Sequence, residues 1–367
     1  MKFVCDGTVL ANAALIVSKA CAVKTITPVL ECIRLTAKND GLTLKAYDGE
    51  ISIEKKINAE VLEEGELCVN GKTFADFVNK ISAYEAVIST NDTGIVIEYG
   101  ESESFMQALS AADFPMFGEN GLDSDYFEIK DLDFKKLISE VVFCAATDDS
   151  RPILKGCLLQ TDENELTATA LDGFRMACST ATIVGGSDRM KIVCPARTLT
   201  EISRMLDGDD TLRVYASKNL LSVAVKDTVI TSRLYLGEFV RKENIYPTEF
   251  TTQVTLRKNE LLDSIERASV LIRGDKNNLI LLDIKPGKIV ITANSEMGKV
   301  EETVLGEVEG KELKIAMNGK YIMDAVKALS EEEIVLSFNL PVSPFTVENV
   351  KDRHCQYLVL PVRTSNS

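Results

Sequence analysis

The chain has 367 residues, with 41 Lys and Arg against 56 Asp and Glu, a formal net charge of −15. Such a surface excludes a protein that coats nucleic acid with its whole exterior, but not one that confines its bases to a single face. With 45% apolar and 26% charged residues, no apolar run near the ~18 residues of a membrane helix and an N-terminus too broken for a signal peptide, the sequence reads as a soluble globular protein.

An amphipathic helix is expected first, over Val9–Ala22, followed by the polar loop AVKTITP and an apolar strand, PVLECIRL, from Pro28. A second strand and turn follow in LTLKAYDGE, around Asp48, and then a second helix, NGKTFADFVNKI, from Asn70. An alternating hairpin begins at TGIVIEYG. The same order then restarts. Helix Phe134–Ala146 leads through DDSR to PILKGCLL from Pro152, LTATALDGF around Asp172, helix PARTLTEISRML from Pro195 and a hairpin at TLRVYASK. A third round runs from helix Glu260–Ile272 through NNLILLDI at Asn277 and IVITANSEM, with Asn294 in the aspartate's place. It closes with helix NGKYIMDAVKAL from Asn318 and a hairpin at EEIVLSFN.

The second helices align Lys72, Arg197 and Lys320, and their apolar positions align as Phe74/Leu199/Ile322, Phe77/Ile202/Ala325 and Ile81/Leu206/Leu329. These fall at i, i+3 and i+7, one face of a helix. A period of about 125 residues copies a whole domain rather than a solenoid unit. The fold class is therefore α+β: three repeated domains of two helices on short antiparallel sheets. Domains are expected at 1–120, 125–246 and 247–367, with junctions in GENGLDSD and ENIYPTEF.

The solvent stripe of the second helices starts at Lys72, Arg197 and Lys320 and returns to a base at Lys80, Arg204 and Lys327. Asp76, Glu201 and Asp324 sit four residues after the first base, so one reading is a solvated face laced by weak i,i+4 pairs. The other is a track for phosphates, a few bases gripping a duplex without fixing its register. Lys24 and Arg151 lie in equivalent helix-to-strand loops and extend that track on the second reading.

Chemistry is poorly supplied. There is no P-loop, HExxH, GxSxG or Cys/His metal spacing, and the one histidine, His354, lies between expected strands as an edge residue. Nine cysteines with no CxxC pair suit a disulfide-free cytoplasmic protein. A catalytic α+β protein and a binding scaffold that never meets DNA remain as alternatives at this point.

Several short strings occur in order: ITPVL near Pro28, AADFP at Ala111–Pro115, TALDGFRMA around Asp172, RML at Arg204–Leu206, ITAN at Ile291–Asn294 and YLVLPVR at Tyr357–Arg363. With their spacing and the threefold repeat, the chain resembles the bacterial DNA polymerase III beta subunit family, the sliding clamps, over essentially its whole length. The resemblance implies a DNA clamp fold, a head-to-tail homodimer and a ring lined by twelve helices. Duplex DNA would thread that ring, with no catalytic residues and no cofactor or metal. It implies as partners the replicative polymerase, the clamp loader and repair proteins, through short clamp-binding peptides, and no membrane.

Carried over residue by residue, the peptide pocket comprises Leu154, Leu171, Gly173, Phe174, Arg175, Met176, Val240, Asn244, Ile245, Asn318, Tyr321, Val342, Ser343 and Pro344, with Leu358, Val359, Leu360, Pro361, Val362 and Arg363. Arg175, Asn244 and Arg363 stand at its rim on this reading. Leu171, Phe174, Val240 and Asn244 replace more polar, basic or cyclic residues common in the family, which implies a greasier pocket. The dimer interface would join Phe105, Met106 and Leu109 to Val270 and Leu271. Its polar fringe departs from the family: Glu101 and Glu103 would meet Glu296, Glu301 and Glu302 rather than bases.

Overall fold

The computed structural model describes every residue except 119–121, 123–124, 187–188, 209, 243–244, 273–277 and 364–367. The described residues include six α-helices: α1 (Gly7–Val17), α2 (Gly71–Lys80), α3 (Asp131–Val141), α4 (Ala196–Met205), α5 (Lys258–Leu271) and α6 (Gly319–Ala328). Helix starts follow from short polar caps. Asp6 accepts the N–H groups of Thr8 and Val9 at 2.8 and 3.0 Å, Asn70 that of Thr73 at 3.0 Å, and Asn318 that of Lys320 at 2.9 Å. Each satisfies backbone donors that have no partner inside the helix.

The apolar face expected of the second helices is the buried one. Phe74, Leu199 and Ile322 are each fully buried, so truncating Phe74 to alanine is expected to cost about 3–5 kcal/mol. The first helices end earlier than the periodicity suggests. α1 stops at Val17 and α3 at Val141, each passing into a short 3-10 turn. The apolar strands also start later, because Pro28–Glu31 and Pro152–Lys155 are 3-10 turns and the strands begin at Cys32 and Gly156. Proline's fixed φ suits the first position of such a turn. The third copy of that strand begins at Leu279; Asn277 lies outside the described residues.

The three repeats are visible in element order, but packing groups the chain as two compact units that divide the central repeat. One comprises Met1–Leu132, Ile183–Asp188 and Arg197–Tyr235; the other comprises Asp133–Thr182, Arg189–Ala196 and Leu236–Ser367. The cause is strand pairing across repeats. In the first unit, the last strand of the central repeat (Thr228–Arg233) pairs antiparallel with Ile51–Ile57, from Thr228↔Lys55 to Ser232↔Ile51. In the second, the last strand of the third repeat (Cys355–Val359) pairs with Arg175–Thr182, from Cys355↔Ser179 to Val359↔Arg175. What the repeat suggests as three short sheets is thus, among the described residues, one sheet of 14 strands and another of 12. In the two expected junction segments, 118–125 and 243–250, residues 119–121, 123–124 and 243–244 lie outside the described residues.

Candidate functional site

The basic positions behave individually. Lys24, Lys72, Lys80, Arg151, Arg197, Arg204, Lys320 and Lys327 are all exposed. None of the three i,i+4 pairs expected on the second helices forms among the described residues. Arg197 instead reaches Asp48 at 2.6 Å, with Glu50 at 4.0 Å, and the Asp48 side chain is only 6% exposed. The same aspartate accepts the N–H groups of Glu50 and Ile51, both at 3.0 Å, so the DG turn and α4 are tied together. Arg204 pairs with Glu201 at 2.8 Å and Lys327 with Glu266 at 2.7 Å. Lys24, Lys72, Lys80 and Lys320 have no ion-pair partner among the described residues and carry their full charge to solvent. Lys24 sits in a loop whose neighbours Val23 and Ile26 are fully exposed.

The expected pocket residues fall in two groups. Leu154, Leu171, Met176, Leu358 and Val359 are all under 6% exposed; they are core, and Leu358 and Val359 belong to the last strand. What reaches the surface is Phe174, 60% exposed, and Val342, with Gly173 exposed and Val240, Ile245, Tyr321, Ser343, Pro344, Leu360, Pro361 and Val362 half-buried. Asn244 lies outside the described residues. Asn318 is spent as the cap of α6. The C-terminal stretch is pinned at both sides: Leu360 donates its N–H to Phe174 O at 2.9 Å and Val362 to Ala316 O at 2.8 Å. Gly173 takes φ +93 with open space where a Cβ would stand, a left-handed turn that glycine adopts without strain.

Arg175 overturns the expectation of a rim base. Its side chain is 9% exposed and fully engaged: Nε donates to Asp172 at 3.1 Å, Nη1 to Asp324 at 2.7 Å and Nη2 to Phe143 O at 2.8 Å. The guanidinium also lies over the rings of Tyr321 at 4.6 Å and Phe143 at 5.5 Å. A planar fork with five donors is the group that can satisfy such a site. Sequence reasoning missed Phe143 and assigned Asp324 to Lys320. The available signal was the pair of aspartates near the DGF turn and α6, which needs a cation once buried. Arg175, Phe174, Tyr321 and Asp324 form one wall of a cleft of about 860 Å3 that also takes in Lys320 and Lys327. Phe174 stacks on Tyr321 with centroids 6.3 Å apart. Tyr321 of α6 and Phe174 of the DG turn therefore make an aromatic site, beside which α6 sets two lysines almost two turns apart.

Among the described residues, the titratable clusters outside this cleft are already paired. His354 Nε2 lies 3.0 Å from Glu140 and Nδ1 2.7 Å from Asp352, a bridge rather than a free edge residue. Asp131, Asp207 and Asp210 cluster, but Lys226 places its ammonium 3.1 and 2.7 Å from Asp207 and Asp210, and Asp131 accepts the N–H groups of Leu132 and Gly208. These carboxylates are already compensated.

Comparison with known proteins agrees with the repeat. Models of the DNA polymerase III beta subunit match residues 1–118 with its N-terminal domain, 128–240 with its central domain and 243–363 with its C-terminal domain. The beta sliding clamp of Halalkalibacterium halodurans is 31% identical over 381 residues, covering 99% of this chain and 100% of that protein. The beta sliding clamp of Bacillus subtilis is 31% identical over 378 residues with the same coverage. Among solved structures, the DNA polymerase sliding clamp from Bacillus subtilis superposes with a TM-score of 0.96 at 30% identity over 99% of each chain. A putative DNA polymerase III beta subunit from Eubacterium rectale gives 0.95 at 28% identity over 100% of each. Threefold sequence repeat, cross-repeat strand pairing and full-length similarity converge: the chain belongs to the DNA polymerase III beta subunit family, the beta sliding clamps.

Proposed function

We propose that two copies of this chain pair head to tail into a ring that surrounds duplex DNA, and that its α6 aromatic site receives peptides from DNA-processing partners. As a sliding clamp of DNA polymerase III, the protein is a processivity factor rather than an enzyme. The observation that carries the ring is a pair of unfilled sheet edges. Both internal repeat junctions are sealed by a last strand pairing with a strand that follows the DG-type turn. Among the described residues, the remaining last strand, Ser102–Leu109, has a partner on its second side only at Ala108 and Leu109. Among the same residues, the remaining post-turn strand, Gly298–Gly310, has one over Gly306–Gly310 alone. Unpaired edges seek a strand, and a head-to-tail closing rotation gives each the other's copy. Phe105 and Val270, 50% and 62% exposed, Leu109 and half-buried Met106 and Leu271 supply apolar contact there.

For DNA, the solvated cations Lys24, Lys72, Lys80 and Lys320, with Arg151, are the stronger candidates. Arg197, Arg204 and Lys327 must first loosen an acid. Exposed bases at this density bind phosphate weakly and exchangeably, which is what a moving tether requires in the cytoplasm. For partners, exposed Phe174 and Val342 with half-buried Tyr321, Pro344, Leu360 and Pro361 offer an apolar seat for one or two large apolar side chains, such as those of the replicative polymerase, clamp loader and repair proteins. The test is fluorescence anisotropy with a labelled peptide bearing Leu and Phe anchors. Phe174→Asp is expected to weaken binding at least tenfold; affinity equal to the unsubstituted protein refutes the pocket.

A further inference from the structure

We infer that the closing strand ladder between two copies runs from Ser102↔Glu302 to Met106↔Gly298 and stacks like charges, so ring closure tightens as salt rises. This rests on the head-to-tail pairing proposed above. The register follows from the two junctions already formed within the chain. In both, the first residue of the last strand faces the fifth residue of the post-turn strand: Thr228↔Lys55 in the strand opening at Ile51, and Cys355↔Ser179 in the strand opening at Arg175. The flanking hydrogen bonds repeat as well. Arg233 N–H donates to Glu50 O at 3.0 Å, as Leu360 N–H does to Phe174 O at 2.9 Å. Lys56 N–H donates to Asp227 O at 2.9 Å, as Thr180 N–H does to His354 O at 3.0 Å. The third post-turn strand opens at Gly298 and the third last strand at Ser102. The same rule then sets Ser102 opposite Glu302, Glu103 opposite Glu301, Ser104 opposite Val300, Phe105 opposite Lys299 and Met106 opposite Gly298.

Residues directly opposite in a ladder share a face. Glu103 already faces Glu98 on the neighbouring strand of its own chain. Closure therefore lines up Glu98, Glu103 and the second copy's Glu301 across three strands. On that face the second copy's strand offers one cation, Lys299, whose ammonium lies 3.6 Å from Glu301, and the strand behind it offers Thr292 opposite Glu301. Glu302 points to the other face, where Arg267 takes its carboxylate at 2.9 and 2.7 Å. Three carboxylates against one ammonium repel, and like charges directly opposite destabilise a sheet. Solvent-exposed repulsion is screened as the Debye length shrinks. The sign is opposite to that of the chain's affinity for DNA, which salt weakens.

The experiment is a dilution series by sedimentation equilibrium on the full chain and on Glu103→Gln, at low salt and at about 0.5 M. Each ring has two such ladders, so the substitution acts twice. The dissociation constant of the unsubstituted dimer is expected to fall several-fold with salt, and Glu103→Gln to start about tenfold lower and respond little. A constant that rises with salt, or one that Glu103→Gln leaves unchanged, overturns the acidic row. Register is read separately: chains carrying both Ser104→Cys and Val300→Cys should oxidise to a covalent dimer, since opposed strand positions lie within disulfide reach. A dimer that never cross-links refutes the register alone, whereas a monomer at every concentration refutes the ring itself.

Discussion

Replacing Arg175 by methionine removes three hydrogen bonds and, among the described residues, the only cation paired with both Asp172 and Asp324, while keeping a similar apolar volume. Breaking a buried ion pair by deleting one partner costs about 3–5 kcal/mol. The aspartate side chains here remain 15% and 26% exposed, so solvent recovers part of that, and we expect about 3 kcal/mol. Arg175→Lys retains the charge but not the fork that serves Asp172, Asp324 and the Phe143 carbonyl together, and should lose about 1–2 kcal/mol. Urea unfolding followed by far-ultraviolet circular dichroism measures both. The ordering Arg, Lys, Met in falling stability is the result expected. A methionine variant within about 0.5 kcal/mol of the unsubstituted protein would refute the claim that Arg175 is a strut of the site rather than a base at its rim.

The bases at the start of the second helices should separate by readout. Arg197→Ala strands the nearly buried Asp48 carboxylate and is expected to cost about 1–2 kcal/mol of stability, whereas Lys72→Ala and Lys320→Ala should change it by less than about 0.5 kcal/mol and lower DNA retention instead. Equal stability losses for all three would remove the distinction. Burial pushes the thiols of Cys5, Cys21, Cys68, Cys157 and Cys355 up to about 12, so the native protein should resist alkylation at pH 8 and react only after unfolding. Rapid modification of the folded chain, counted by mass spectrometry, would contradict this.

Much of the architecture was legible because it rests on local patterns. The spacing of Phe74, Phe77 and Ile81, repeated twice more, identified both the helices and their buried face, and Asn70 and Asn318 marked helix starts. Partnerships formed across long sequence separations were not legible. Nothing near Arg197 announces Asp48, some 149 residues earlier, and Glu201, four residues on, was the tempting but wrong partner. Arg175 looked like a rim base because charged residues usually stay exposed; its burial depends on α6 arriving from the third repeat. The ladders correct one further alignment. The alignment of Asn294 with Asp172 shifts by one residue: Ser295 faces Gly298 across a two-residue turn, as Asp172 faces Arg175 and Asp48 faces Ile51, so a serine takes the aspartate's place in the third turn. That serine leaves the third turn without the aspartate that holds Arg197 or Arg175 in the other two.

Encirclement is tested most directly by topology. Protein loaded onto a nicked circular duplex should survive a salt wash that dissolves simple electrostatic contacts, and should run off once the circle is cut. Equal retention on circular and linear DNA, or complete loss from both in the wash, would contradict a ring that holds DNA by surrounding it.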